Sequence, residues 1–184
     1  MTMAKVGEPA PDFTMAIAKP SDTPKTLGSK VSLSDYSGKW LVFFFYPLDF
    51  TTVCPTEITA LSDRFEEFEE LGADVLGVST DSVYSHLAWM NTPREKHGLG
   101  QLNFPLASDI TKSVARSYGV LIEEAGIALR GLYIIDPEGI LQYAVVNNLN
   151  IGRSTEETLR ILLALQTGGL CPSDWKPGKA QIES

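Results

Sequence analysis

Seven consecutive residues, Trp40-Leu-Val-Phe-Phe-Phe-Tyr46, are apolar or aromatic, and the run stops at Pro47. A run that is apolar at every position, rather than at alternate ones, predicts a strand buried on both faces. After Pro55 the period changes. Ile58, Leu61, Phe65, Phe68 and Leu71 are spaced 3, 4, 3 and 3, which predicts one amphipathic helix over 55–71 with proline near its first position and Gly72 at its end. Ala73–Ser79 reads as a second buried strand, 82–91 as a helix ending before Pro93, 104–108 as a short strand and 111–118 as a helix stopped by Gly119. Residues 127–135 and Leu141–Asn147 read as strands joined in a hairpin by the turn Asp136-Pro-Glu-Gly139. Ser154-Thr-Glu-Glu157 has the form of a capping box and opens a last helix to 167. The breaker-rich stretch from Gly168 cannot continue that helix. Upstream, 31–38 reads as a short strand and turn, and 1–28, rich in Pro and Thr, is expected to wrap the surface.

Strand, helix, strand, helix, then a hairpin and a closing helix give an α/β fold with a central sheet flanked by helices. No internal repeat or linker divides the chain, so 1–184 is expected to be one domain, with 168–184 as a C-terminal tail.

Composition narrows the function. The 43% of hydrophobic and 21% of charged residues are ordinary for a globular protein. A net charge of −8 argues against nucleic acid or an anionic membrane as partner. No apolar run approaches the roughly 18 residues of a membrane span, and the first residues hold no apolar signal core, so a cytoplasmic location is expected. The acidic cluster around Glu66, Glu67, Glu69 and Glu70 reads as the solvated face of its helix.

The chemistry lies in the two cysteines, Cys54 and Cys171. Without a signal segment, a structural bridge loses ground to a catalytic or redox role. The absence of C-x-x-C, with His86 and His97 the only histidines, argues against zinc and against a thioredoxin-type dithiol exchange site. Both histidines are expected to be structural or solvated, and Trp40, Phe45 and Trp89 to be core or interface. Cys54 falls where a buried strand has ended and a helix begins. There the free N–H groups and the positive end of the helix dipole favour thiolate over thiol.

The segment Pro47-x-x-x-Thr51-x-x-Cys54 resembles the peroxiredoxin signature. His86-Leu-Ala-Trp-Met-Asn-Thr-Pro93, Leu102-Asn-Phe-Pro-Leu106, Gly126-Ile-Ala-Leu-Arg-Gly-Leu132, Asn148-Leu-Asn-Ile-Gly-Arg153 and Leu170-Cys171-Pro172 with Trp175 extend the likeness over essentially the whole chain. The resemblance is to the typical two-cysteine peroxiredoxins of the alkyl hydroperoxide reductase C and thiol-specific antioxidant family. It implies a thioredoxin-like fold with a central mixed β-sheet and N- and C-terminal extensions. The implied activity is reduction of hydrogen peroxide and alkyl hydroperoxides without metal or other cofactor.

By the same resemblance, Cys54 is the peroxidatic cysteine. Thr51 holds the peroxide by its hydroxyl, Pro47 shields the pocket, and Arg130 stabilises the thiolate and the polarised O–O bond. Glu57 and Arg153 form the supporting ion network, and Cys171 of a partner subunit resolves. The implied partners are thioredoxin or a flavoprotein disulfide reductase as electron donor, and a second copy of the chain in a homodimer that assembles into a ring of five dimers. A redox-regulated chaperone or peroxide-signalling relay is the alternative reading. Two departures stand out. His97-Gly-Leu-Gly100 replaces the Gly-Gly-Leu-Gly of peroxide-sensitive members, and no Tyr-Phe pair follows Cys171, so resistance to over-oxidation is expected.

Thiolate formation alone cannot carry such a reaction. Lowering a thiol pKa from about 8.5 to about 6 raises the thiolate fraction at pH 7 roughly thirtyfold, and lost nucleophilicity returns roughly tenfold of that. The larger share must come from fixed donors that place the peroxide and stabilise the leaving oxygen.

Overall fold

The structure is a computed structural model that describes residues 3–183; the ends of the expected surface-wrapping stretch and of the expected tail, 1–2 and 184, lie outside the described residues. The elements in chain order are β1 (Thr14–Ala18), β2 (Lys30–Ser32), a 3-10 turn (Leu33–Tyr36), β3 (Trp40–Phe45), α1 (Cys54–Asp63), α2 (Phe65–Glu70), β4 (Ala73–Ser79), α3 (Val83–Met90), a 3-10 turn (Arg94–Lys96), β5 (Leu106–Ser108), α4 (Ser113–Ser117), β6 (Leu121–Ile122), β7 (Ile127–Ala128), β8 (Arg130–Ile135), β9 (Leu141–Asn147) and α5 (Thr155–Thr167). They form two compact units, one to Arg153 and one from Ser154.

In the first unit a seven-stranded sheet runs β2-β1-β5-β4-β3-β8-β9. β3 pairs in parallel with β4, and β4 with β5, through the crossovers that carry α1–α2 and α3. On its other side β3 meets β8 antiparallel, and β8 turns into β9 through the expected hairpin. The sheet is therefore mixed, and β3 sits inside it with Leu41 to Phe45 fully buried. Phe43 stacks on Phe13 at 4.8 Å and meets Tyr118 edge-on at 5.0 Å, whereas Phe44 meets Phe104 at 5.9 Å. Successive side chains of a strand alternate faces, so both faces of β3 are covered by aromatic packing.

Three expectations need correction. The N-terminal stretch is not only a surface wrap. β1 enters the sheet between β2 and β5, and Met15 and Ile17 are buried in the core. The expected helix over 55–71 is two helices. Arg64 leaves helical geometry at φ −107°, ψ 15°, although the 3-4 spacing continues across it, with Ile58 and Leu61 buried on α1 and Phe68 on α2. The expected strand 127–135 is interrupted at Leu129, where β7 pairs with β6 and β8 joins the main sheet.

The second unit opens on Ser154, whose hydroxyl accepts from Glu157 N at 3.1 Å. The reciprocal half of the capping box is not formed as expected, because the Glu157 carboxylate binds Arg160 at 2.6 and 2.7 Å instead. α5 ends at Gly168 in the left-handed conformation (φ 67°), where glycine carries no Cβ penalty. The tail then folds back on itself: Ile182 N donates to Leu170 O at 2.9 Å, and Trp175 Nε1 to Lys179 O at 3.0 Å.

Candidate active site

The end of β3 delivers the chain to the site. Tyr46 and Pro47 follow β3 and are still buried, and the loop over 47–51 contains Phe50 at φ 57°. α1 then starts at Cys54 itself, one residue earlier than a helix opened by Pro55. Its cap residue, Val53, offers no side-chain acceptor to the first turn. The helix start thus keeps donor capacity beside a sulfur that is fully buried.

Arg130 approaches from the neighbouring strand. The antiparallel register pairs Phe44 with Leu132, so the C-terminal end of β3 lies beside the N-terminal end of β8, where Arg130 stands. Its Nη1 lies 3.2 Å from Cys54 Sγ and 2.7 Å from Glu57 Oε1, and its Nε donates to Leu149 O at 2.7 Å. Glu57 faces the same way as Cys54, three residues on in α1. Its Oε2 accepts from both N and Nε of Arg153 at 2.7 Å, and its Oε1 from Arg153 Nη2 at 3.1 Å. Arg153 Nη1 in turn donates to Phe45 O at 2.7 Å and to Gly131 O, and its guanidinium lies over the Phe44 ring at 5.4 Å. All three side chains are at most 5% exposed.

The charges decide what this cluster suits. Two guanidinium groups and one carboxylate leave one positive charge uncompensated in a buried place. The sulfur of Cys54 lies within reach of that charge, and Arg130 Nη1 already donates to it. Arg fits here better than Lys, because its planar fork serves the sulfur, the carboxylate and a carbonyl at once.

The structure therefore brings Cys54, Glu57, Arg130 and Arg153 together. Pro47 is buried at the head of the loop. Thr51 stands in that loop with its hydroxyl donated to Leu48 O at 2.9 Å. Cys171 belongs to the second unit, where its sulfur has Gln181 Nε2 at 3.6 Å, Thr167 Oγ1 at 3.7 Å and Ala164 O at 3.9 Å as neighbours. Both cysteines are free thiols. Of the two alternatives for His86, structural or solvated, the structural one holds: it is fully buried and bound to Asp49, a residue that sequence reasoning passed over. A histidine three residues before a buried Trp89 on an apolar helix face was the available signal.

Residues 6–144 match the model of the AhpC/TSA family. The chain belongs to the AhpC/TSA family. A Bacillus subtilis (strain 168) relative, YkuU, is 60% identical over 99% of this chain and all of its own. Peroxiredoxin-2 of Rattus norvegicus is 53% identical over 98% of this chain and 90% of its own. Among solved structures, the reduced 2-Cys peroxiredoxin of Plasmodium vivax superposes with a TM-score of 0.91 at 42% identity, covering 97% of this chain and 92% of that one. The fold of this AhpC/TSA member is thioredoxin-like, as expected, and the enzyme is a thiol-dependent peroxidase. Among the described residues no helix is long and apolar enough to cross a membrane.

Proposed function

We propose that Cys54 is the peroxidatic cysteine and that Cys171 of a partner subunit resolves it. The observation that carries this reading is the Arg130 Nη1–Cys54 Sγ contact of 3.2 Å within a network bearing one unbalanced positive charge. A lone pair of the thiolate forms the S–O bond to the near oxygen of the peroxide. The O–O bond breaks, its electron pair leaves with the far oxygen, and that oxygen takes a proton to become water or an alcohol. Arg130 and the free N–H groups at the start of α1 stabilise the charge on the departing oxygen. Thr51 holds the peroxide by its hydroxyl, Pro47 closes the pocket against water, and Glu57 with Arg153 fixes the Arg130 fork.

The sulfenic acid on Cys54 condenses with the Cys171 thiol, releasing water and forming a disulfide. Thioredoxin or a flavoprotein disulfide reductase returns both thiols. In this reading 1–184 works as one thioredoxin-like domain with 168–184 as the tail that carries Cys171. The partner is a second copy in a homodimer, five of which close into a ring, and the reaction runs in the cytoplasm on hydrogen peroxide and alkyl hydroperoxides. Sedimentation of the reduced protein tests the ring: a dimer as the largest species would remove it.

The test of the chemistry is stopped-flow Trp fluorescence with one equivalent of hydrogen peroxide, followed by non-reducing gels, on wild type, Cys54→Ser and Cys171→Ser. Fast oxidation lost only in Cys54→Ser, with the disulfide-linked dimer lost in both variants, supports the two roles. A wild-type rate no faster than that of an ordinary free cysteine would falsify the assignment of Cys54. A dimer band surviving in Cys171→Ser would remove Cys171 as the resolving thiol.

A further inference from the structure

The loop between β3 and α1 is pinned from α3 by buried polar contacts. His86 and Trp89 lie about one turn apart on α3, and both are fully buried. His86 Nδ1 stands 2.8 Å from Asp49 Oδ2, and its Nε2 stands 2.9 Å from Ala107 O on β5. A carbonyl oxygen only accepts, so Nε2 carries a hydrogen. Asp49 already accepts the Tyr46 hydroxyl at Oδ1, 2.7 Å away. Burial, and then the Asp49 charge, push the Tyr46 hydroxyl well above the usual phenol range, so it keeps its proton. Asp49 thus meets Tyr46 through Oδ1 and His86 through Oδ2, so one carboxylate ties the end of β3 to α3.

The backbone of the loop is tied as well. Asp49 N donates to Asp81 Oδ2 at 2.9 Å, an oxygen that also takes the Ser79 hydroxyl at 2.6 Å. Burial, and then the nearby Asp49, push Asp81 above the ordinary carboxylate range, and the Ser79 hydroxyl pulls it part of the way back. Phe50 follows at φ 57°, a conformation a large residue keeps only when its surroundings enforce it, and its ring lies 5.8 Å from that of Trp89. The next residue, Thr51, turns its hydroxyl back to Leu48 O.

We infer that His86, acting through Asp49, is a positioning residue for the peroxide pocket: it sets the 47–51 loop so that Thr51 and Pro47 meet the oxygen that Cys54 attacks, and it touches neither sulfur nor peroxide. The inference rests on the reading of Cys54 as the peroxidatic thiol. It separates the site into two independently held halves. Arg130 and Glu57 hold the sulfur from β8 and α1, whereas His86 and Asp49 hold the loop from α3.

That separation is what the experiment reads. Hydrogen peroxide needs an aligned pocket to react with Cys54, whereas iodoacetamide needs only the thiolate. Both second-order rate constants are measured at one pH on the reduced full-length chain, for wild type, His86→Gln and Asp49→Asn. Asp49→Asn is isosteric and makes the comparison without a change of volume. The expected result is a fall of tenfold or more in the peroxide rate with the iodoacetamide rate within twofold of wild type. A parallel fall in both rates would mean a general structural role and would overturn the inference, as would a peroxide rate unchanged in both variants. A wild-type protein that itself reacts with peroxide like an ordinary thiol would instead sink the assignment of Cys54, a result visible before either variant is compared.

Discussion

Glu57 and Arg130 form a buried ion pair, 2.7 Å between Oε1 and Nη1, and the same Nη1 lies 3.2 Å from the Cys54 sulfur. The carboxylate therefore aims the guanidinium as well as neutralising part of it. Arg153 holds the other side of Glu57, so the sulfur, two cations and one anion form a single hydrogen-bonded chain running from α1 to β8 and the segment after β9.

Removing the donor at the sulfur tests this arrangement directly. Arg130→Met is expected to lower the second-order rate of Cys54 oxidation by about 10²–10³-fold, the usual cost of losing one preorganised donor to a developing charge. Arg130→Lys keeps the charge but cannot reach Leu149 O, Glu57 and Cys54 together, so it should still lose more than about tenfold. Stopped-flow oxidation by hydrogen peroxide measures both. A lysine variant within twofold of wild type would show that charge, not the fork, is what matters.

Glu57→Gln probes stability. The variant leaves the guanidinium groups of Arg130 and Arg153 buried without their shared carboxylate. Breaking a buried pair in this way costs about 3–5 kcal/mol, which urea denaturation should report as a lower midpoint at unchanged slope. Adding Arg153→Met to Glu57→Gln removes one stranded charge, and the double variant should cost less than the sum of the single ones. Strict additivity would count against the shared-carboxylate account.

Parts of this site were legible in the chain. The apolar run of β3, its stop at Pro47 and the cysteine at the opening of a helix follow from local pattern alone, because a strand buried on both faces has no polar position to blur it. The partners of Glu57 did not show in that way. Arg130 and Arg153 lie 73 and 96 positions away, and only the likeness to a family suggested them. β1 was missed because its few apolar residues sit in a Pro- and Thr-rich stretch and its pairing to β5 is long-range, Ala16 to Ser108. The break at Arg64 was hidden by an apolar spacing that continues across it. His86 and Asp49 carry no shared motif, and 37 positions separate them.

Gly77 in β4 is a packing constraint that a sequence does not advertise. A Cβ there would lie 2.7 Å from both Leu106 Cδ2 and Phe44 Cζ, in the layer on which Arg153 rests. Gly77→Ala is expected to destabilise by about 1–3 kcal/mol through overpacking, a drop in Tm of several degrees by scanning calorimetry at roughly 2–4 °C per kcal/mol for a chain of this size. An unchanged Tm would mean that Phe44 and Leu106 move aside freely.

Asp109 should leave a signature in the pH dependence of stability. Its carboxylate accepts from Val114 N at 3.2 Å and Ala115 N at 2.7 Å at the head of α4, but burial outweighs these bonds and pushes it above the ordinary carboxylate range. A carboxyl raised in the folded state binds more protons there than in the unfolded chain, so its contribution to stability is greatest at low pH. That contribution declines as pH rises from the unfolded value of about 3.9 through the folded one. Asp63, Glu67, Glu123 and Glu157 are lowered by their arginine partners and act with the opposite sign, losing stability as pH falls below about 4. They are unchanged in Asp109→Asn, so they cancel when the variant is compared with wild type. The amide also loses one acceptor oxygen, a penalty that does not vary with pH. Urea midpoints at pH 4, 5.5 and 7 should therefore show the stability of Asp109→Asn relative to wild type improving steadily as pH rises. A difference that stays flat would mean that the two backbone N–H donors balance burial at Asp109, and one that moves against the variant would mean that they outweigh it.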